Sequence, residues 1–203
     1  MNTQALHGFE TLDTRLPIWS RFFMVAPLVV IGTREEAGYD LAPKHMVTPM
    51  GFDNYIGFVC TPRHGTYRNI ARHGVFTVSF PLPDQTLVTS LSALPRCEGL
   101  SKSEQILDYI PTFPATTIDA PFLRDAYLLM ECTHFKTIDG FGSNSLITGQ
   151  IQKAFVRDGY LRYHEADDQQ LLMESPLLTY IQEGRYAQVD KTFAFPFPKD
   201  FAR

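Results

Sequence analysis

The stretch from Tyr39 to Phe80 constrains the fold most, because it alternates chain that can join a sheet with chain that cannot. Pro43 and Pro49 each lack a backbone N–H, so the segment Ala42 to Met50 cannot run throughout as a central strand and reads as a loop. Tyr55 to Cys60 is an apolar run of strand length. Val75 to Phe80 alternates, with Phe76, Val78 and Phe80 on one side and Val75, Thr77 and Ser79 on the other, the pattern of a half-buried strand. Between these strands, Thr61 to Asn69 holds Thr61, Arg63, His64, Thr66 and Arg68. Threonine is an N-cap residue and glycine a helix terminator, so a short helix is expected from about Thr66 to Gly74. Hydroxyls and guanidiniums at a helix N-terminus suit an anion, most often a phosphate. Taken alone, the same turn also reads as an ordinary solvated one.

The flanking chain is strand-rich. Leu28 to Thr33 is an unbroken, largely β-branched run that predicts a strand covered on both faces. Asp84 as a cap and a Leu87, Val88, Leu91, Leu94 stripe predict a helix ending at Pro95, and Ser101 with Glu104 predicts a second with Ile106, Leu107 and Ile110. Thr112 to Pro121 reads as an extended loop, Tyr127 to His134 and Ser145 to Phe155 as strands joined by a turn at 139–144. Arg157-Asp158-Gly159 reads as a hairpin-like turn into Tyr160 to Tyr163, and Ser175-Pro176 opens a short helix that Gly184 closes. Residues 1–15 form an arm and 191–203 a tail that lies across a neighbouring subunit. The whole chain, arm and tail included, fits one domain over 1–203.

Composition excludes several classes of function. A net charge of −4 gives no general attraction to nucleic acid or an anionic membrane. The longest apolar run, Phe22 to Gly32, contains Pro27 and is too short to span a bilayer, and the N-terminus lacks a secretory pattern, so the cytoplasm is expected. Sixteen phenylalanines against one tryptophan suit a β-rich interior or an extensive subunit interface. Three cysteines without C-x-x-C spacing argue against a disulfide framework or zinc. Cys60 and Cys132 read as core residues and Cys97 as more exposed. The six histidines show no metal-binding spacing. Glu35-Glu36 and Asp167-Asp168 read as solvated pairs. Gly140-Phe141-Gly142-Ser143-Asn144 is not a dinucleotide fingerprint, because a strand follows it and the third glycine is missing. Neither a Walker loop nor a G-x-S-x-G elbow is present, and no residue is assigned as catalytic. With nucleophile, metal and Walker chemistry unsupported, a cofactor has to carry any reaction.

The blocks PLVVIGT (27–33), DLAPKHMVTPMG (40–51), RHGTYRNI (63–70) and GVFTVSF (74–80), followed in order by APFLRDAYLLMEC (120–132), LITGQIQKAF (146–155) and GRYAQV (184–189), resemble the flavin-reductase-like family. The resemblance spans roughly residues 17 to 190. It implies a mainly β fold with peripheral helices, an antiparallel split β-barrel of about six strands. It further implies a homodimer that holds FMN at the subunit interface, takes hydride from NAD(P)H, and can serve a monooxygenase component. Carried onto this chain, the isoalloxazine contacts fall on His45, Met46, Val47 and Thr48, and the phosphate and ribityl contacts on Thr61, Arg63, Thr66 and Arg68. Arg68 meets the anion or faces solvent one turn on, and the His45 imidazole meets the ring or is satisfied within its own loop. Many reductases of the family carry Gly-Asp-His just before the strand that here is 145–155, with the histidine near the nicotinamide; this chain has Gly142-Ser143-Asn144. That departure leaves two alternatives open: a flavin storage or sensing module without NAD(P)H turnover, and an FMN-dependent oxidoreductase acting on an organic substrate. Gly184-Arg185-Tyr186 matches a late block of the family at an interface or pocket wall.

Overall fold

A computed structural model describes residues 6–94, 109–162 and 166–199. In chain order the elements are β1 (Val25–Pro27), β2 (Val29–Arg34), β3 (Tyr39–Lys44), β4 (Val47–Pro49), β5 (Tyr55–Cys60), α1 (Gly65–His73), β6 (Val75–Phe80) and α2 (Thr86–Leu91). There follow β7 (Thr112–Pro114), β8 (Pro121–Leu123), β9 (Leu128–Phe141), β10 (Asn144–Val156), α3 (Asp168–Glu174), β11 (Leu177–Ile181) and β12 (Arg185–Val189). Seven strands make one curled antiparallel sheet in the order β3-β2-β6-β9-β10-β5-β4. Its two edge strands, β3 and β4, are neighbours in sequence, with only His45 and Met46 between them. The curl therefore brings its edges together at a seam, and the prolines sit at those edges, where a missing N–H is tolerated. The expected loop at 42–50 is thus two edge strands and a tight connection.

Both faces of β2 are covered, as its unbroken apolar run predicts. Val29 and Ile31 join an inner cluster with Phe58, Ile70, Phe76, Val78, Cys132 and Ile147. Val30 points the other way, into an outer cluster with Leu41, Ile110 and Leu123, against which Val88 and Leu91 of α2 pack. Phe58 and Phe76 meet edge to face at 5.5 Å, and a side chain on Gly149 would collide with the Phe76 ring. α1 plugs the curl through Ile70 and ends at Gly74 in the left-handed conformation.

Several expectations are corrected. β6 is buried on both sides rather than half-buried, because β8 lies over its polar face. The Thr77 hydroxyl donates to the Pro121 carbonyl, and the Leu123 N–H donates to Ser79 Oγ at 3.1 Å. Gly32 faces that same carbonyl so closely that no Cβ fits. The 112–121 segment is a β7–β8 hairpin whose tip grips the fully buried Glu131: the backbone and hydroxyls of Thr116 and Thr117 donate four hydrogen bonds to its carboxylate. Desolvation pushes the Glu131 pKa up, but these hydrogen bonds together outweigh it and leave the pKa below the usual carboxylate value. Glu35 is buried rather than solvated, and Asp167 caps α3, accepting from the backbone N–H groups of Gln169 and Gln170. The helix expected after Ser175-Pro176 is a β11–β12 hairpin, with Gly184 in its turn, and β11 also pairs with β1. Asp158 to Tyr160 is a 3-10 turn that leads into no strand among the described residues, and the turn at the β9–β10 hairpin tightens to Gly142-Ser143. Asp84 caps nothing; the Gln85 side chain takes that place, accepting from the Leu82 N–H at 3.0 Å. Leu87 and Leu94 are exposed, so the α2 stripe is narrower than expected. Cys60 and Cys132 are buried, and burial pushes both thiols up, Cys132 to about 12. Cys97, Pro95 and the helix expected from Ser101 lie outside the described residues. Among the described residues no helix is long and apolar enough to cross a membrane, and no group of three or more His, Cys, Asp or Glu side chains could hold a metal ion.

Candidate functional site

At the seam, the chain leaving β5 turns through Thr61 to His64 and enters α1. His64 is the N-cap in an extended conformation, but no side chain caps the helix and no acidic residue stands in its first turn. Thr66 is therefore the second helical residue rather than the cap, and its hydroxyl turns to the buried Asp40 carboxylate at 3.4 Å. The uncapped N-terminus opens into a cleft of about 410 Å³ walled by Asp40, Pro43 and Lys44 of β3, by Arg63, Thr66 and Arg68, and by Ala93 and Leu94. Arg68 Nη1 donates to the Arg63 carbonyl at 2.7 Å, which folds the guanidinium back over the turn, and the exposed side chain stands at the rim of this cleft, between cleft and solvent. Lys44 and the Arg63 guanidinium have no carboxylate partner among the described residues.

A second cleft, about 560 Å³, adjoins the first and shares Pro43 and Ala93 with it. His45 lies here, its ring against Tyr180 at 4.7 Å. Burial, and then the nearby Lys44 charge, hold its pKa below the ordinary imidazole value, so the ring is neutral at neutral pH. A third cleft, about 320 Å³, lies on the other side of Arg63 and takes in Thr61, Tyr67 and Asn144. The Tyr67 and Ser145 hydroxyls both donate to Asp139 there, at 3.1 and 2.6 Å.

The residues singled out from sequence thus divide. Arg63, Thr66 and Arg68 share the first cleft, His45 lines the second, and Thr61 lines the third. Met46, Val47 and Thr48 line neither of the first two. The Val47 side chain belongs to the inner core, so only its backbone can meet a ligand. Met46 is exposed, and its carbonyl accepts the Val59 N–H at 2.9 Å. The exposed Thr48 hydroxyl bonds its neighbour Pro49. What 44–48 offers is an edge: β4 pairs only with β5, and its outer side has no strand partner among the described residues. Lys44 and Tyr180 were not foreseen. Lys44 was legible as the cation directly before His45, whereas Tyr180 is brought in by a hairpin that sequence reads as a helix.

The first cleft has the donor set for a phosphate: uncapped helical N–H groups, two guanidiniums and an ammonium, against one carboxylate already engaged by Thr66. The curled antiparallel half-barrel sheet is the fold of split-barrel flavin proteins. The chain belongs to the flavin reductase like domain family, whose model matches residues 20–188. No curated protein matches it in sequence. Among solved structures it is similar to an FMN-binding protein of Thermus thermophilus with bound p-hydroxybenzaldehyde (20% identity, 92% of this chain and 98% of that one, TM-score 0.73). It is also similar to flavoredoxin from Methanosarcina acetivorans (22%, 94% and 96%, 0.71). A third is the flavin reductase component of a bacterial two-component tryptophan halogenase (19%, 93% and 98%, 0.64).

Proposed function

We propose that the chain is an FMN-binding oxidoreductase that accepts hydride from NAD(P)H, a flavin reductase acting as a homodimer in the cytoplasm. The observation that carries this reading is the first cleft: Arg63, Arg68 and the uncapped start of α1 converge on one cavity with no carboxylate in the helix's first turn. Arg63 and Arg68 hold the phosphate, and Thr66, tied to Asp40, fixes the turn that presents them. The isoalloxazine lies along the seam from Lys44 to Thr48, where an edge strand offers backbone donors and acceptors to its polar rim. Thr61 stands behind Arg63 and completes the ribityl side. Bound flavin supplies the hydride-accepting chemistry; the protein's part is to bind, orient and admit the donor. Exposed Phe135, Ile138 and Phe141 on the β9–β10 hairpin supply an apolar face for the second subunit. The halogenase component among the similar structures supports delivery of reduced flavin to a monooxygenase-type partner.

A second reading, a flavin carrier or sensor without NAD(P)H turnover, is favoured by Gly142-Ser143-Asn144, which puts an amide rather than an imidazole beside Arg63 in the third cleft. Both readings predict that FMN gives the protein a flavin absorbance spectrum. Anaerobic NADH or NADPH should then bleach it within seconds if the chain is a reductase. Bound flavin that neither nucleotide bleaches leaves the carrier reading, and a protein that takes up no flavin ends both.

A further inference from the structure

The second cleft is the largest of those around the site and is not needed to hold a phosphate. One wall is α2, with Leu87 and Thr89; the opposite wall is the β11–β12 turn, with Tyr180, Arg185 and Tyr186; His45 closes the end towards the seam. Tyr180 cannot swing, because its hydroxyl accepts the Gly184 N–H at 2.8 Å while its ring packs on His45. The cavity therefore has a fixed, flat aromatic side. One feature asks for a ligand. Arg185 sits at this largely apolar cavity with no hydrogen-bonding or ion-pair partner among the described residues.

We propose that this cleft binds a small planar aromatic acid, its ring against the His45–Tyr180–Tyr186 side and its carboxylate on Arg185. A flat apolar ring matches the aromatic wall, and a carboxylate matches a lone guanidinium, which can grip it with two parallel hydrogen bonds. The neutral His45 ring adds no competing charge. As the second-substrate site of a flavin enzyme the cleft rests on the function proposed above; as a binding site it does not.

The test is calorimetric titration of the whole chain with benzoate and with benzyl alcohol, in the absence and presence of saturating FMN. Benzoate should bind saturably in both conditions, at least about tenfold more tightly than benzyl alcohol, and more weakly as salt rises. Arg185→Gln should remove that tenfold preference while leaving benzyl alcohol and FMN affinities unchanged. Tyr186→Ala should weaken both aromatic ligands together. Absence of benzoate binding, loss of it when FMN saturates the protein, or an Arg185→Gln variant that keeps the preference would overturn the proposal. Benzoate binding in a protein that takes up no FMN would sustain this site and sink the flavin reading instead.

Discussion

Two regions of the same curled sheet treat charge in opposite ways. On the closed side, where β6 meets β9, a single carboxylate is fully buried, and Glu131 receives four hydrogen bonds from a hairpin tip folded over it. At the seam between β3 and β4, Lys44 and Arg63 face a cavity with no carboxylate partner among the described residues, beside a helix that no side chain caps. A buried ion must be satisfied within the fold, or the fold does not form. Cations left together at a cleft repel one another and are stable only because water reaches them. The difference separates what holds this protein together from what it keeps available for a ligand.

That separation can be broken experimentally. Glu131→Ala strands two threonine hydroxyls and two backbone N–H groups, and should cost on the order of 3 to 5 kcal/mol in urea unfolding. A folded variant should still bind FMN with unchanged affinity. Gly32→Ala forces a methyl group against the Pro121 carbonyl and should cost roughly 1 to 3 kcal/mol, again without touching the seam. Arg63→Ala should leave unfolding within about 0.5 kcal/mol of the parent, because an exposed cation without a partner stabilises nothing. The exposed Arg72–Glu36 pair at the other end of α1 should matter as little: Arg72→Ala should shift unfolding by no more than about 0.5 kcal/mol.

The sign of the acid response follows from the same carboxylate. Its folded pKa is depressed, so its contribution is present above the unfolded value of 4.5 and disappears as pH falls through the lower folded value. Urea midpoints should therefore decline below about pH 4.5 in the parent and decline less in Glu131→Gln. Parallel curves would remove Glu131 from the acid response.

Sequence revealed the parts of this fold whose patterns are local. The β2 run and the β5 and β10 strands carry apolar periods that only a sheet satisfies, and Gly74 ends α1 as its type demands. What it concealed depends on contacts far along the chain. Pro176 and Gly184 punctuate a hairpin as naturally as a helix, and only the pairing of β11 with β1 decides between them. Glu131 in LLMEC carried a readable signal, a lone charge in an apolar run, but its partners lie fourteen and fifteen residues back. At the site, Arg63, Thr66 and Arg68 were legible because they share one turn. The ring contacts expected on Met46, Val47 and Thr48 were less so, since a strand turns alternate side chains inward and takes Val47 into the core.

The central claim is that the seam at α1 grips a phosphate. Titration of the purified protein with FMN and with riboflavin, which differ only in that group, measures it directly by quenching of flavin fluorescence. FMN should bind at least about tenfold more tightly than riboflavin, and Arg63→Ala combined with Arg68→Ala should bring the two affinities together. Equal affinities in the parent, or a preference that survives the double substitution, would contradict the account.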